Sequence, residues 1–211
     1  MVMAWPTLAA TEPRVRAAAG YRAEVDPETL AACRRGDRAA LTRFVRTYER
    51  AVFAFLSRTV GPGPHVEDLA QEVFLRAYRA LPQFRLRPDA RVSTWLLKIA
   101  VHLSRDHQKK KRIRVVTLDA ATVVPGGATQ GPEHHQRRKE IASALEHATA
   151  QLSDDHRTVF LLAHFHERSM GEIAELTGVP EATVKTRLHR ARARLRALLA
   201  PLRDGSPEET S

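Results

Sequence analysis

The 211 residues include a single cysteine, Cys33. No disulfide can form within the chain, which points to a reducing compartment. Cys33 lies in a helical pattern and reads as inert packing. No apolar run approaches the roughly 20 residues of a membrane span. The N-terminal stretch has no basic segment ahead of its apolar part, which Pro6 interrupts, so it does not read as a secretory signal. The expected location is cytoplasmic, without membrane insertion. Convincing strand alternation is absent, as is any repeat of fixed period. No phosphate-binding Gly loop, nucleophile constellation or pair of carboxylates in a Gly-rich setting is found. An enzyme is therefore the least favoured class, and no cofactor is expected. His134, His135, His164 and His166 have no cysteine or acidic partners at ligand spacing, so no metal site is expected either.

What the chain does have is positive charge. Lys and Arg number 34 against 24 Asp and Glu, a formal net charge of +10. That excess calls for a polyanion, either nucleic acid or an acidic membrane surface. The cations are mostly arginine, and arginine with alanine in this abundance hints at a GC-rich genome.

Helical punctuation divides the chain. Residues 1–25 carry Pro6, Pro13 and Gly20 without periodicity and read as an irregular extension. Asp26-Pro27 is a helix start, and Gly36-Asp37 a break with a second cap. Leu41, Phe44, Val45, Tyr48, Val52, Phe55 and Leu56 then recur at helical spacing up to "GPGP" (61–64). A third helix stops near Pro82. Ser93 or Thr94 can cap a fourth. Residues 115–137, rich in Gly, Pro and small side chains, read as a linker between domains. Helical pattern returns at Arg138, with Ser153 as the cap of a further helix. The expected fold class is all-α: two small helical domains, 26–114 and 138–203, joined by a flexible linker, with a tail at 204–211.

The second domain contains "SMGEIAELTGVPEATVKTRLHRARARLR" (169–196). Ser169 and Glu172 make an S-x-x-E capping box, Gly178 can take positive φ, and Pro180 suits the next first turn. Two short helices across such a turn match helix-turn-helix. At roughly 100° per residue, Val184, Leu188, Ala191 and Leu195 form one apolar stripe. Thr186, His189 and Arg190 lie opposite, flanked by Lys185 and Arg187, where they would enter a major groove. Arg192, Arg194 and Arg196 continue beyond it, toward phosphates or solvent. The plain alternative is a solvated cationic face.

"EDLAQEVFLRAYRALPQF" (67–84) with "STWLLKIAVHLSRDHQKKKR" (93–112) resembles regions 2.2 to 2.4 of the extracytoplasmic-function (ECF, group 4) sigma factors of the sigma-70 family. The 169–196 stretch resembles their region 4.2. The resemblance spans Asp26 to about Leu202, with both halves in order. It implies a non-catalytic specificity subunit of RNA polymerase that directs promoter recognition and opening. The partners it implies are core polymerase, through the coiled coil of its largest subunit and its flap, and promoter DNA, duplex and melted. An anti-sigma factor that clamps both domains is implied as well.

On that resemblance Asp68, Gln71 and Glu72 face the coiled coil, although Asp68 and Glu72 also suit an ordinary helix start. A flipped base of the −10 element would sit at Ala80, Phe84 and the loop 85–93, with Arg85, Arg87 and Arg91 on the single-stranded backbone. Phe84 reads equally as a core side chain. Lys109, Lys110, Lys111 and Arg112 belong to a run in which five of the six residues 109–114 are basic, suited to duplex phosphates upstream. The family pattern of Asn, Asp and Arg in this helix reads His102, Asp106 and Lys109 here, and His102 departs from it. Ala163-His164 stands where relatives often offer an Arg to the −35 phosphates. Lys185, Thr186, Arg187, His189 and Arg190 take the −35 role.

Two other classes compete. A stand-alone helix-turn-helix regulator leaves the first domain unexplained. A sigma mimic that only engages an anti-sigma factor should have lost the DNA-facing charge.

Overall fold

The structure, a computed structural model, describes residues 24–85, 91–117 and 133–204. The regular elements among them are all helical, as the periodicity requires. Helix α1 (Pro27–Arg34) begins at the Asp26 cap, whose Oδ1 accepts from Thr29 N at 2.7 Å. Gly36, at φ 83°, turns the chain, and Asp37 Oδ1 accepts from Ala40 N at 2.7 Å to open α2 (Arg38–Val60). Phe44, Tyr48, Val52, Phe55 and Leu56 form the buried stripe of α2, one side of the core. Helix α3 (His65–Ala80) buries Val66, Ala70, Val73, Phe74 and Ala77, then closes in a single 3-10 turn, Leu81–Gln83.

Helix α4 spans Val92–Thr117. Neither Ser93 nor Thr94 caps it. Val92 is buried, and its burial sets the helix start one residue ahead of the first hydroxyl. Both hydroxyls fall in the first turn and bond elsewhere. Ser93 donates from N and Oγ to the Glu24 carboxylate, which also accepts from Tyr48 Oη at 2.9 Å. Glu24, in the stretch read as an irregular extension, thus ties α2 to α4.

Helix α5 (Glu133–Ala150) starts ahead of Arg138, because 133–137 contains no helix breaker. Ser153 stands at the N-cap of α6 (Asp154–His164), but its side chain makes no capping bond; Asp154 and Asp155 supply the negative charge of the first turn. Helices α7 (Met170–Thr177) and α8 (Glu181–Asp204) complete the chain.

Helices α2, α3 and α4 pack on one another with α1 against α2, and α8 gathers α5, α6 and α7. The two groups are docked. Helix α4 meets α7, α2 meets α5 and α6, and the buried apolar side chains form one contiguous cluster. Arg157 works at this junction. It donates to Thr149 O in the last turn of α5, to Leu152 O two residues beyond that helix, and to Thr59 O in the last turn of α2 at 2.9 Å. The last carbonyls of a helix have no partner within it, so one guanidinium completes two helix ends. Burial holds its pKa below the usual arginine value. Nearby, the His166 ring stands edge-on to Phe55 at 5.4 Å, and Arg58 lies over the Phe165 ring at 4.7 Å.

Candidate nucleic-acid and polymerase interface

The basic helix α8 is fixed by its turn and its stripe. Both halves of the α7 capping box form: Ser169 Oγ accepts from Glu172 N at 3.2 Å, and Glu172 Oε2 accepts from Ser169 N at 2.9 Å. Burial raises the Glu172 carboxyl, but the Ser169 N–H and the Arg168 guanidinium outweigh it and leave the pKa lowered. Gly178 ends α7 at φ 67°, the left-handed region that a residue with a Cβ enters at a cost. Val184, Leu188, Ala191 and Leu195 are all buried.

That burial decides what faces outward. Lys185, Thr186, His189 and Arg190 are exposed together. Thr186 Oγ1 donates to Ala182 O at 2.9 Å, so its hydroxyl is already oriented. Arg187 differs. It lies three residues past Val184, about 60° from the stripe, and is half-buried with Nη2 2.7 Å from Asp155 Oδ2. Arg192 donates from Nε to His164 Nε2 at 3.1 Å. Burial, then the neighbouring Arg192, lowers the His164 pKa, in keeping with a neutral ring that accepts this bond.

On α4, His102, Lys109, Lys110, Lys111 and Arg112 are exposed, and Arg112 Nη2 lies 2.7 Å from Asp154 Oδ2. Ala80, Arg85 and Arg91 are exposed where α3 ends and α4 begins; Arg87 lies outside the described residues. Phe84 is half-buried and stacked on Trp95, ring centroids 4.1 Å apart. One ring face of Phe84 is spent on Trp95, and the side chain is still partly accessible.

Helix α3 presents Asp68 and Gln71 to solvent, while Glu72 accepts from Arg76 Nε at 2.7 Å. Leu75 and Tyr78 are 42% and 54% exposed on the same face, one and two turns beyond Gln71. Sequence reasoning missed them. The signal was present: both continue the row of Asp68 and Gln71 rather than the buried row of Val66, Ala70, Val73 and Ala77.

Comparison with known proteins gives this arrangement a family. Residues 44–113 match Sigma-70 region 2, and residues 139–195 match Sigma-70, region 4. The ECF RNA polymerase sigma factor SigW of Bacillus subtilis is 32% identical over 177 residues, 80% of this chain and 94% of that protein. The chain belongs to the sigma-70 family, as an ECF-type RNA polymerase sigma factor for promoter recognition. The RNA polymerase sigma-H factor of Pseudomonas aeruginosa is similarly close, 32% identical over 187 residues, 85% of this chain and 96% of its own. Two solved structures share the fold. The structure of CnrH in complex with the cytosolic domain of CnrY has a TM-score of 0.57 at 24% identity, over 82% of this chain and 96% of that one. RpoE of Bartonella quintana, crystallised with the anti-sigma factor NepR, has a TM-score of 0.61 at 22% identity, over 75% and 96%.

In the terms of this sigma factor, the α3 face and the α4 cations belong to region 2 and the α8 row to region 4. The contacts of Arg187 with Asp155 and of Arg192 with His164 lie within region 4, whereas Arg112 with Asp154 joins region 2 to region 4. No described helix is long and apolar enough to cross a membrane.

Proposed function

We propose that this sigma factor divides the promoter between its two regions. Region 4 takes the −35 element through Lys185, Thr186, His189 and Arg190, with Arg187 at the edge of that row. Region 2 takes the −10 element through Ala80, Phe84, Arg85, Arg87, Arg91 and His102, and the upstream phosphates through Lys109 to Arg112. Asp68, Gln71 and Glu72 meet the coiled coil of core polymerase, and the exposed apolar pair Leu75 and Tyr78 extends that face. The carrying observation is the α8 row: four polar or cationic side chains exposed opposite a buried stripe, on the helix that follows a turn with a glycine in the left-handed region. A helix in that setting can lay one face in a major groove.

The chain supplies binding and specificity, and the polymerase supplies the chemistry. It acts in the cytoplasm with its domains at 26–114 and 138–203. Its family membership proposes an anti-sigma factor as a further partner. Arg190→Ala tests the −35 assignment. It should weaken binding to the −35 element by about 1–3 kcal/mol and relax base preference at one position. Unchanged affinity with unchanged preference in a mobility-shift titration removes Arg190 from that role.

A further inference from the structure

Helix α8 has two edges beside its outward row. The major groove is about 12 Å wide, close to the diameter of a helix with its side chains. A helix whose outer row enters the groove therefore brings both edges to the phosphate backbones. At about 100° per residue, Arg187 and Arg192 stand on opposite sides of the buried stripe. Lys185, Arg192 and Arg196 fall within about 40° of one another and make up the Arg192 edge. Helix α6 packs on α8 and reaches both edges. Asp155, in its first turn, holds Arg187, and His164, its last residue, holds Arg192.

The two holds differ in charge. Asp155 Oδ2 lies 2.7 Å from Arg187 Nη2, an ion pair that offsets the guanidinium. Arg192 donates from Nε at 3.1 Å, and a guanidinium keeps that hydrogen, so His164 Nε2 accepts and the ring carries its single proton on Nδ1. Such a ring is neutral, and the lowered pKa of this imidazole agrees. The ring is itself fixed by Phe160, one turn earlier, with centroids 4.6 Å apart. Arg192 is exposed, and its two Nη groups make no hydrogen bond or ion pair among the described residues. Its guanidinium is thus aimed while its charge is left whole. Phosphodiester oxygens accept parallel N–H bonds from such a group. Because His164 has already ordered the side chain, less rotamer freedom is lost when a phosphate arrives.

We propose that Arg192 is a clamp for a backbone phosphate of duplex DNA beside the α8 row, and that His164 is the positioning residue that sets it. This rests on the DNA-binding reading above. The two edges then play unequal parts: Arg192 gives its whole charge to the backbone, whereas much of Arg187's is spent on Asp155. A phosphate contact carries no base information, so the clamp adds affinity on any sequence and helps fix the register of α8 in the groove.

The test titrates the full chain into a short fluorescent random-sequence duplex, by anisotropy, between about 50 and 200 mM salt. The logarithm of affinity falls linearly with that of salt, by about 0.9 for each phosphate neutralised. Arg192→Ala should reduce this slope by about 1 and weaken binding about fivefold at the low-salt end. His164→Phe keeps a ring against Phe160 without the acceptor. It should weaken binding about two- to threefold in the parent and leave Arg192→Ala unaffected. His164→Gln, whose amide oxygen can accept from Nε, should stay within about 1.5-fold of the parent. His164→Glu sets a carboxylate on the guanidinium and should reduce the slope by about 1, with no further reduction in Arg192→Ala. Both side chains are exposed. If Arg192→Ala nonetheless fails to fold by circular dichroism, Arg192→Gln takes its place.

Duplex binding whose slope and affinity are unchanged in Arg192→Ala overturns the clamp and leaves the DNA reading standing. A His164→Phe loss that persists in Arg192→Ala, or that His164→Gln shares, overturns the positioning role. If no form of the chain binds the duplex, the DNA reading falls and the clamp with it.

Discussion

At the scale of single residues, the junction is held by side chains that are costly to bury. His166 is the clearest. Burial, with the Arg168 and Arg58 guanidiniums beside it, pushes its imidazole down to about 3. The folded state keeps this ring neutral, while an unfolded chain protonates it near the ordinary 6.5. Its contribution to stability is therefore complete above about pH 6.5 and declines as pH falls toward 3. Between pH 6.5 and 5 the loss should be about 2 kcal/mol. His166→Phe keeps a ring against Phe55 and should remove that share of the pH dependence in urea melts. Parallel pH profiles for the two proteins would show that His166 is not held neutral. His107 and His164, also lowered by burial, act in the same direction in both proteins, so the difference isolates His166.

At the scale of elements, α7 is short and relies on its ends. Its eight residues are bounded by the Ser169–Glu172 capping box and by Gly178. Ser169→Ala should destabilise the chain by about 1 kcal/mol. A melting midpoint unchanged from the parent would mean the box contributes nothing. Elements of this kind were legible in the sequence, because caps, glycine turns and 3.6-residue stripes act over a few residues. Asp26, Asp37, Gly178 and the stripe from Val184 to Leu195 needed no knowledge of distant neighbours. Ser93, Thr94 and Ser153 show the limit. Their composition suits caps, yet Val92 is drawn into the core and Arg168 claims the two α4 hydroxyls from 74 and 75 residues away. The site divides likewise. The exposed row of α8 followed from periodicity, whereas the partners of Arg112 and Arg187 depend on α6 arriving beside both helices. Leu75 and Tyr78 were hidden by their type, since apolar residues on a helix are assumed to face inward.

At the scale of the whole molecule, two helical units share one contiguous core cluster and a polar junction built around Arg157 and Arg168. Each unit carries a cationic face, and α3 adds a face with acidic, amide and exposed apolar side chains. A stand-alone regulator would use only the second unit, whereas the proposed division of the promoter would use all three surfaces at once. Run-off transcription on fragmented genomic DNA, with core RNA polymerase and this chain as the sole specificity subunit, tests that division most directly. Discrete transcripts that depend on the chain, and that Arg190→Ala diminishes, are the predicted result. Folded chain that yields no transcript beyond core polymerase alone on any fragment would contradict the account.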